Sequence, residues 1–199
     1  MDQNYGKEKS VTNCFVPFTK FKINADDIDL IKGQLKPHDT NRFLEYHNYL
    51  DLKKILRTEF AKNLKEFAAS IGVKLATISA LTARPNTIVP IHVDGDAQGA
   101  LKWRLAFYVE GEPGTITWFE HNDAIYYDPP AKSFKIVDEL NLHIVDRTVL
   151  NMGAALIRTD IPHQLDTSTN IMPRLTITAT FSPQIEWEEL VSRVANVSN

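Results

Sequence analysis

The chain has a single cysteine, Cys14, among 199 residues. One thiol closes no internal disulfide, so the fold is expected to rest on packing alone, in a reducing compartment. No base accompanies Cys14 at a catalytic spacing, and it reads as a small half-buried residue rather than a nucleophile. No apolar run approaches about 18 residues, so no membrane span is expected. The stretch from Met1 to Ser10 is polar and lacks the apolar core of a signal peptide. A cytoplasmic location is the resulting expectation. Positive charge is not in excess: 22 Lys and Arg stand against 25 Asp and Glu, a net charge of −3. A nucleic-acid partner is therefore not expected. Gly/Ser-rich linkers, internal repeats and low-complexity segments are missing as well, which leaves residues 1–199 to be read as one domain. What the chain does hold is 43% hydrophobic and 24% charged residues, an ordinary globular balance that supplies a sizeable core.

Residues 1–72 are read as largely helical after a short extended piece from Cys14 to Ile23. Asp39 and Thr40 are candidate caps for a helix starting near Asn41. Asn48 or Asp51 could open a second helix running to Ser70, with Gly72 as its stop. Leu52, Ile55, Leu56, Phe60, Leu64, Phe67 and Ala68 recur at helical spacing, a stripe suited to packing on a sheet. From Val73 the period changes to two. Val73 to Ala83, Ile88 to Asp94, Lys102 to Val109, Thr115 to Glu120, Ala154 to Thr159 and Arg174 to Phe181 read as short strands. Pro and Gly punctuate them, and no helical pattern intervenes, which points to an antiparallel sandwich or barrel. Residues 121–151 are long for a loop and read as an insertion, a lid or substrate-shaping element, with an extra hairpin expected around Phe134 to Val137 and His143 to Val149. Residues 184–199 are expected to form a short C-terminal helix.

Within this pattern, His92 and Asp94 are two apart, so on a strand both point to one face. Val93 turns to the other face with Ile91 and Val89. His163 follows Pro162 at the end of the strand Ala154 to Thr159. Two imidazoles and one carboxylate are the donor set that holds a non-haem Fe(II) on one side and leaves other positions open. Eleven residues after His163, Arg174 shares a strand face with Thr176, Thr178 and Thr180. Its planar guanidinium suits a carboxylate held by two parallel hydrogen bonds, with the Thr176 hydroxyl as a further donor. Each residue also has a plain structural explanation: a surface histidine, a turn aspartate, a solvated polar strand face. Arg104 and Tyr108 would face the pocket if Trp103, Leu105, Phe107 and Val109 pack outward against helices; Arg158 could face inward with Ala154 and Leu156. Trp103, Trp118, Tyr126 and Tyr127 could line an aromatic wall, although core packing explains the tryptophans equally well.

His92-Val93-Asp94, His163 and Arg174-Leu175-Thr176 resemble the Fe(II)/2-oxoglutarate-dependent oxygenases, whose pattern is HxD, a distal His and then Arg-x-Ser/Thr. Arg104-Leu105, Trp118-Phe119 and residues 153–181 further resemble the aspartyl/asparaginyl β-hydroxylase-like branch. The similarity spans residues 90–183, with 121–151 unmatched. It implies a mainly β fold with N-terminal helices and a double-stranded β-helix (jelly-roll, cupin-like) core over residues 73–183. It implies that His92, Asp94 and His163 ligate Fe(II). Arg174 and Thr176 would hold the distal carboxylate of 2-oxoglutarate, with Arg104 and Tyr108 as further cofactor-binding candidates. O2 and a small-molecule or peptidyl substrate are the implied partners. The presence of Asp94 favours hydroxylation over halogenation in the family's logic. The family's Arg-Leu-His-Leu strand reads Arg104-Leu105-Ala106-Phe107 here, so a histidine that helps hold the co-substrate is replaced by Ala106. Two rivals share the barrel: a cupin-like metalloenzyme that does not use 2-oxoglutarate, and a non-catalytic jelly-roll binding module.

Overall fold

A computed structural model describes residues 14–18, 21, 23–35, 45–96, 99–120, 125–128, 133–136, 142–151 and 153–198. In chain order its elements are β1 (Phe15–Phe18), α1 (Ala25–Lys32), β2 (Glu45–Tyr49), α2 (Leu52–Ile55), α3 (Glu59–Ser70), β3 (Lys74–Ala83), β4 (Gly95–Asp96) and β5 (Gly99–Ala100). Then follow β6 (Trp103–Glu110), β7 (Gly114–Glu120), β8 (Ile125–Asp128), β9 (Ser133–Ile136), β10 (His143–Leu150), β11 (Gly153–Arg158), β12 (His163–Asp166), β13 (Arg174–Ser182) and α4 (Trp187–Ser198).

Two antiparallel sheets make the core. The larger has the order β1-β11-β6-β13-β3-β2 and the smaller β10-β7-β12. The segment 88–92 extends the smaller sheet through bridges Ile88 to Asp166 and His92 to His163. From β3 onward the chain therefore passes between sheets: large (β3), small (88–92), large (β6), small (β7, then β10), large (β11), small (β12), large (β13). That alternation of eight antiparallel segments is a jelly roll, the cupin-like double-stranded β-helix.

Side-chain alternation sorts each strand of the larger sheet into two faces. Trp103, Leu105, Phe107 and Val109 of β6 join Ile177, Ala179 and Phe181 of β13 on the face covered by helices. Helix α3 is capped by Thr58, whose Oγ1 accepts from the Ala61 N–H at 3.1 Å. It buries Phe60, Ala61, Leu64, Phe67 and Ala68, spaced to form one stripe. Phe60 meets Phe107 edge-on with centroids 4.9 Å apart, and Trp103 stacks on Phe181 at 5.0 Å. Helix α4 adds Trp187, Leu190 and Val194. Each of the buried Leu, Ile, Val and Phe side chains contributes about 1.5–3 kcal/mol by leaving water, and together they fix the outer wall of the site. The inner face carries Arg104, Ala106 and Tyr108 beside Thr176 and Thr178, the register pairing Thr176 with Tyr108 and Thr178 with Ala106. Opposite it, Ile116, Trp118 and Leu150 of the smaller sheet close a second apolar cluster with Ala106, Ala155, Ile157 and Cys14.

Several sequence expectations are corrected. Residues 45–49 form a strand paired to β3, where a helix from near Asn41 is expected; the proposed caps Asp39 and Thr40 lie outside the described residues. Backbone pairing with a sheet edge overrides local propensity there. The helix expected from Asn48 or Asp51 to Ser70 is two, α2 and α3, because Thr58 turns its hydroxyl back to the Ile55 carbonyl at 2.7 Å and restarts the helix as a cap. Helix α1, capped by Asn24 on the Asp27 N–H at 2.7 Å, is additional. In the insertion 121–151, β10 is a core strand paired along its length with β7, so the segment between core strands ends near residue 142. The hairpin inside it is β8 with β9 rather than Phe134 to Val137 with His143 to Val149.

Candidate metal and anion site

Two strand ends and one turn bring the donors together. His92 and His163 exchange backbone hydrogen bonds, His92 N to His163 O at 3.0 Å and His163 N to His92 O at 2.9 Å. Residues paired in this way face the same side of the sheet, and the two imidazole centroids lie 4.5 Å apart. Asp94 is pinned by its N–H to the Thr159 carbonyl at 3.1 Å, and its own carbonyl accepts from Leu101 N at 2.8 Å. The Thr159 hydroxyl donates in turn to Leu101 O at 2.6 Å. The ligand atoms of His92, Asp94 and His163 all lie within 4.8 Å of one another.

Each imidazole is oriented by its own strand. His92 Nδ1 lies 2.8 Å from the Pro90 carbonyl and His163 Nδ1 lies 2.9 Å from the Ile161 carbonyl. A carbonyl can only accept, so each Nδ1 carries the proton, and each Nε2 keeps its lone pair for a ligand. Those Nε2 atoms stand 3.6 Å and 3.8 Å from the two Asp94 oxygens. Burial pushes the His163 imidazole down to about 4, helped by His92 alongside and opposed by the Asp94 charge. The ring is therefore neutral at ordinary pH, the form that binds a metal. Opposed tautomer-fixed imidazoles with a carboxylate between them fit a divalent first-row metal, with His92, Asp94 and His163 as its ligands.

Asp94 has a further partner: Arg104 Nη2 sits 2.5 Å from its Oδ2. Arg104, a cofactor-binding candidate in the sequence, is thus placed at the metal end of the inner face, with residue exposure of 9%. Tyr108 and Arg174 lie together further along. The Arg174 guanidinium carbon is 5.1 Å from the centre of the Tyr108 ring. Thr176 is directly opposite Tyr108 in the register. The hydroxyls of Tyr108 and Thr176 are buried and find no hydrogen-bond partner among the described residues, and neither does Arg104 Nε. Burial raises the Tyr108 phenol above its ordinary value, against the lowering effect of Arg174, so it is a protonated donor. Arg104 and Tyr108 are four residues apart on one strand, about 13 Å. A diacid chelated at one end and anchored at the other, with two side chains reaching in, can cover that span.

The turn that leads into Arg174 is held by Glu112. Glu112 Oε2 accepts from the Ile171 N–H at 2.5 Å and the Met172 N–H at 3.2 Å, and the Asn170 side chain donates to the Glu112 carbonyl at 3.1 Å. Gly111, at φ +102°, approaches so closely that a Cβ there would stand 2.1 Å from the Pro173 carbonyl oxygen. These turn residues carry no chemistry of their own, and no spacing in the sequence flags Glu112 or Gly111 as supports of β13.

Other candidates fall elsewhere. Arg158 pairs in register with Trp103, on the helix-covered face, where it binds Asp160 at 2.8 Å and reaches Glu188 of α4 at 3.5 Å. Its inward orientation is corrected, since Ala154, Leu156 and Arg158 alternate to the outside. Trp103 faces the helices, donating to the Ile185 carbonyl at 3.2 Å, whereas Trp118 sits opposite His163 in the interior. The side chains of Tyr126 and Tyr127 lie outside those described. The β9 backbone runs beside β4, directly after Asp94, which sets the insertion hairpin at the metal end of the barrel. Cys14 is buried, and burial with Asp146 nearby pushes its thiol up to about 12.

No family model matches the chain, and no curated protein matches it. Among solved structures it is similar to AviO1 from Streptomyces viridochromogenes Tue57 (TM-score 0.48, 15% identity, 80% of this chain and 85% of that one). It is also similar to Lactobacillus farciminis oxalate decarboxylase in a formate complex (0.39, 13%, 78% and 33%) and to E. coli ycfD (0.40, 14%, 62% and 30%). The chain thus spans a third of the length of the decarboxylase chain. The strand order of the two sheets, rather than these likenesses, establishes the jelly roll. Among the described residues no helix is long and apolar enough to cross a membrane.

Proposed function

We propose that the chain is an Fe(II)- and 2-oxoglutarate-dependent dioxygenase that hydroxylates an amino-acid side chain, a peptide or a small metabolite. The observation that carries this reading is the convergence of two Nδ1-tethered imidazoles and one carboxylate inside a barrel whose inner face continues to a buried arginine. When bound, the metal supplies O2 activation coupled to oxidative decarboxylation of the 2-oxo acid.

The chain's own share is positioning. Pro90 O and Ile161 O fix both imidazole tautomers, and Arg104 holds one Asp94 oxygen, leaving the other turned toward His92. Arg174, Tyr108 Oη and Thr176 Oγ1 would grip the distal carboxylate. Leaving a buried hydroxyl without a partner costs about 1–3 kcal/mol, and a carboxylate acceptor removes that cost for Tyr108 and Thr176 together. Trp118, fully buried and opposite His163 in the register, would exclude water from that side of the histidine. Ala106, on the same face between Arg104 and Tyr108, adds no polar group, so the hold on the diacid would fall to Arg174, Tyr108 and Thr176.

The test is succinate formation from 2-oxoglutarate with Fe(II) and O2, stimulated by candidate substrates. His92→Ala and Asp94→Ala should abolish it through lost metal. Arg174→Ala should raise the 2-oxoglutarate requirement tenfold or more, the loss expected for one bidentate charged anchor. Equal and negligible effects from all three would sink the assignment. Metal-dependent activity that needs no 2-oxoglutarate would point to the cupin-like alternative.

A further inference from the structure

A cavity of about 490 Å³ lies between the edges of the two sheets, and none of the three metal-ligand candidates borders it. Its outer rim is formed by β1 and β10, with Pro17 exposed at the mouth, and its walls by Phe15, Leu150, Ala155 and Ile157. Phe15 and Pro17 turn toward the cavity because the register sets them opposite Ile157 and Ala155. At its inner end are Ala106, Tyr108 and Arg174. The volume is in the range of ordinary small-molecule sites, and well beyond the need of one five-carbon diacid. The lining is predominantly apolar, with a guanidinium at its inner end and, beside it, a phenol that is 95% buried and whose hydroxyl has no partner among the described residues. Apolar walls with one convergent cation and one hydroxyl donor describe the complement of a single ligand class. An uncharged apolar molecule would leave the Tyr108 hydroxyl unsatisfied, and a small carboxylate such as acetate would leave the walls wet.

We propose that this cavity is a binding site for a monocarboxylic acid with an aromatic or branched aliphatic body, entered between β1 and β10 and anchored on Tyr108 and Arg174. The ligand stays away from His92, Asp94 and His163, so it is not itself oxidised. It occupies the anchor from the opposite side to the diacid and competes with it. Binding stands apart from the metal chemistry; only the competition rests on the proposed function.

The experiment is calorimetric titration of the metal-free full chain with 3-phenylpropionate, 3-phenylpropionamide and acetate, alongside 2-oxoglutarate titrated into Mn(II)-loaded protein with and without 3-phenylpropionate. The acid should bind at least tenfold more tightly than the amide and than acetate. Pro17→Glu, an exposed rim substitution, should weaken it about tenfold by setting a like charge at the mouth, and Ala155→Phe should abolish it by filling the chamber. Circular dichroism would verify that both variants fold; should Ala155→Phe fail to, Pro17→Glu decides. Indistinguishable binding of acid and amide, or no effect of Pro17→Glu, overturns the site. Tight acid binding that leaves 2-oxoglutarate affinity unchanged overturns the competition. Tight acid binding with no 2-oxoglutarate binding at all would remove the proposed function and leave this site standing.

Discussion

Removing Arg104 separates the electrostatics of the empty site from those of the loaded one. Its Nη2 is 2.5 Å from Asp94 Oδ2, and the two side chains are 11% and 17% exposed. Without metal, Arg104 is a cation that compensates the Asp94 carboxylate beside the two imidazoles. Taking away one partner of a buried pair costs about 3–5 kcal/mol. The residual exposure of Asp94 argues for the lower end, so Arg104→Leu should lose about 3 kcal/mol in metal-free protein. For a chain of this size that is a fall of roughly 6–12 °C in Tm. A divalent cation restores the missing positive charge, so Mn(II) or Co(II) should raise the Tm of Arg104→Leu more than that of the wild type. Asp94→Asn should recover much of the metal-free loss when combined with Arg104→Leu, because no charge is then left alone. Differential scanning fluorimetry with EDTA and with each metal reads all of these. Equal metal-free stability of wild type and Arg104→Leu, or equal metal-induced shifts, would refute the reasoning.

Three further outcomes follow from the same geometry. The His163 imidazole, lowered from 6.5 to about 4 chiefly by burial, makes the unfolded chain the better proton binder between those values. Metal-free stability should therefore be intact above pH 6.5 and fall by up to about 3 kcal/mol as pH drops toward 4; urea melts across that window should flatten in His163→Gln. Cys14, with its thiol raised to about 12, should resist iodoacetamide at pH 8 in the folded protein and react at once in urea, whereas rapid native alkylation would contradict its buried placement. Gly111→Ala combines a left-handed φ of +102° with a Cβ that would stand 2.1 Å from Pro173 O. It should cost more than about 2 kcal/mol and weaken 2-oxoglutarate binding by displacing Arg174, a pairing that isothermal titration of the variant would check.

The strands that the sequence reveals are those whose two faces meet different surroundings. β6 and β13 alternate because one face meets helices and the other the barrel interior, and their observed limits differ by one residue at most from those read by period. His92 with Asp94, and Arg174 with Thr176, were placed on shared faces by the same rule. β2, by contrast, is joined by backbone pairing at a sheet edge, and Glu45 to Tyr49 carry no period that announces it. β12 is only four residues long, too short for periodicity, so His163 read as the tail of the preceding strand rather than the start of its own. The pairing of Arg104 with Asp94 joins residues ten apart through a turn, and the support of β13 by Glu112 joins residues about sixty apart. Spacing along the chain reports neither. The period of β11 puts Ala154, Leu156 and Arg158 on one face but does not say which face meets the helices, and the contact of Arg158 with Glu188 of α4 is one that only tertiary packing creates.

The most direct test of the central claim is anaerobic addition of Fe(II) and then 2-oxoglutarate to the metal-free chain, followed by visible absorption. A metal-to-ligand charge-transfer band that appears only with both, saturates at one equivalent of each, and needs a much higher 2-oxoglutarate concentration in Arg174→Ala is the predicted result. Folded protein that binds Fe(II) at one equivalent and yet develops no such band with 2-oxoglutarate would contradict it.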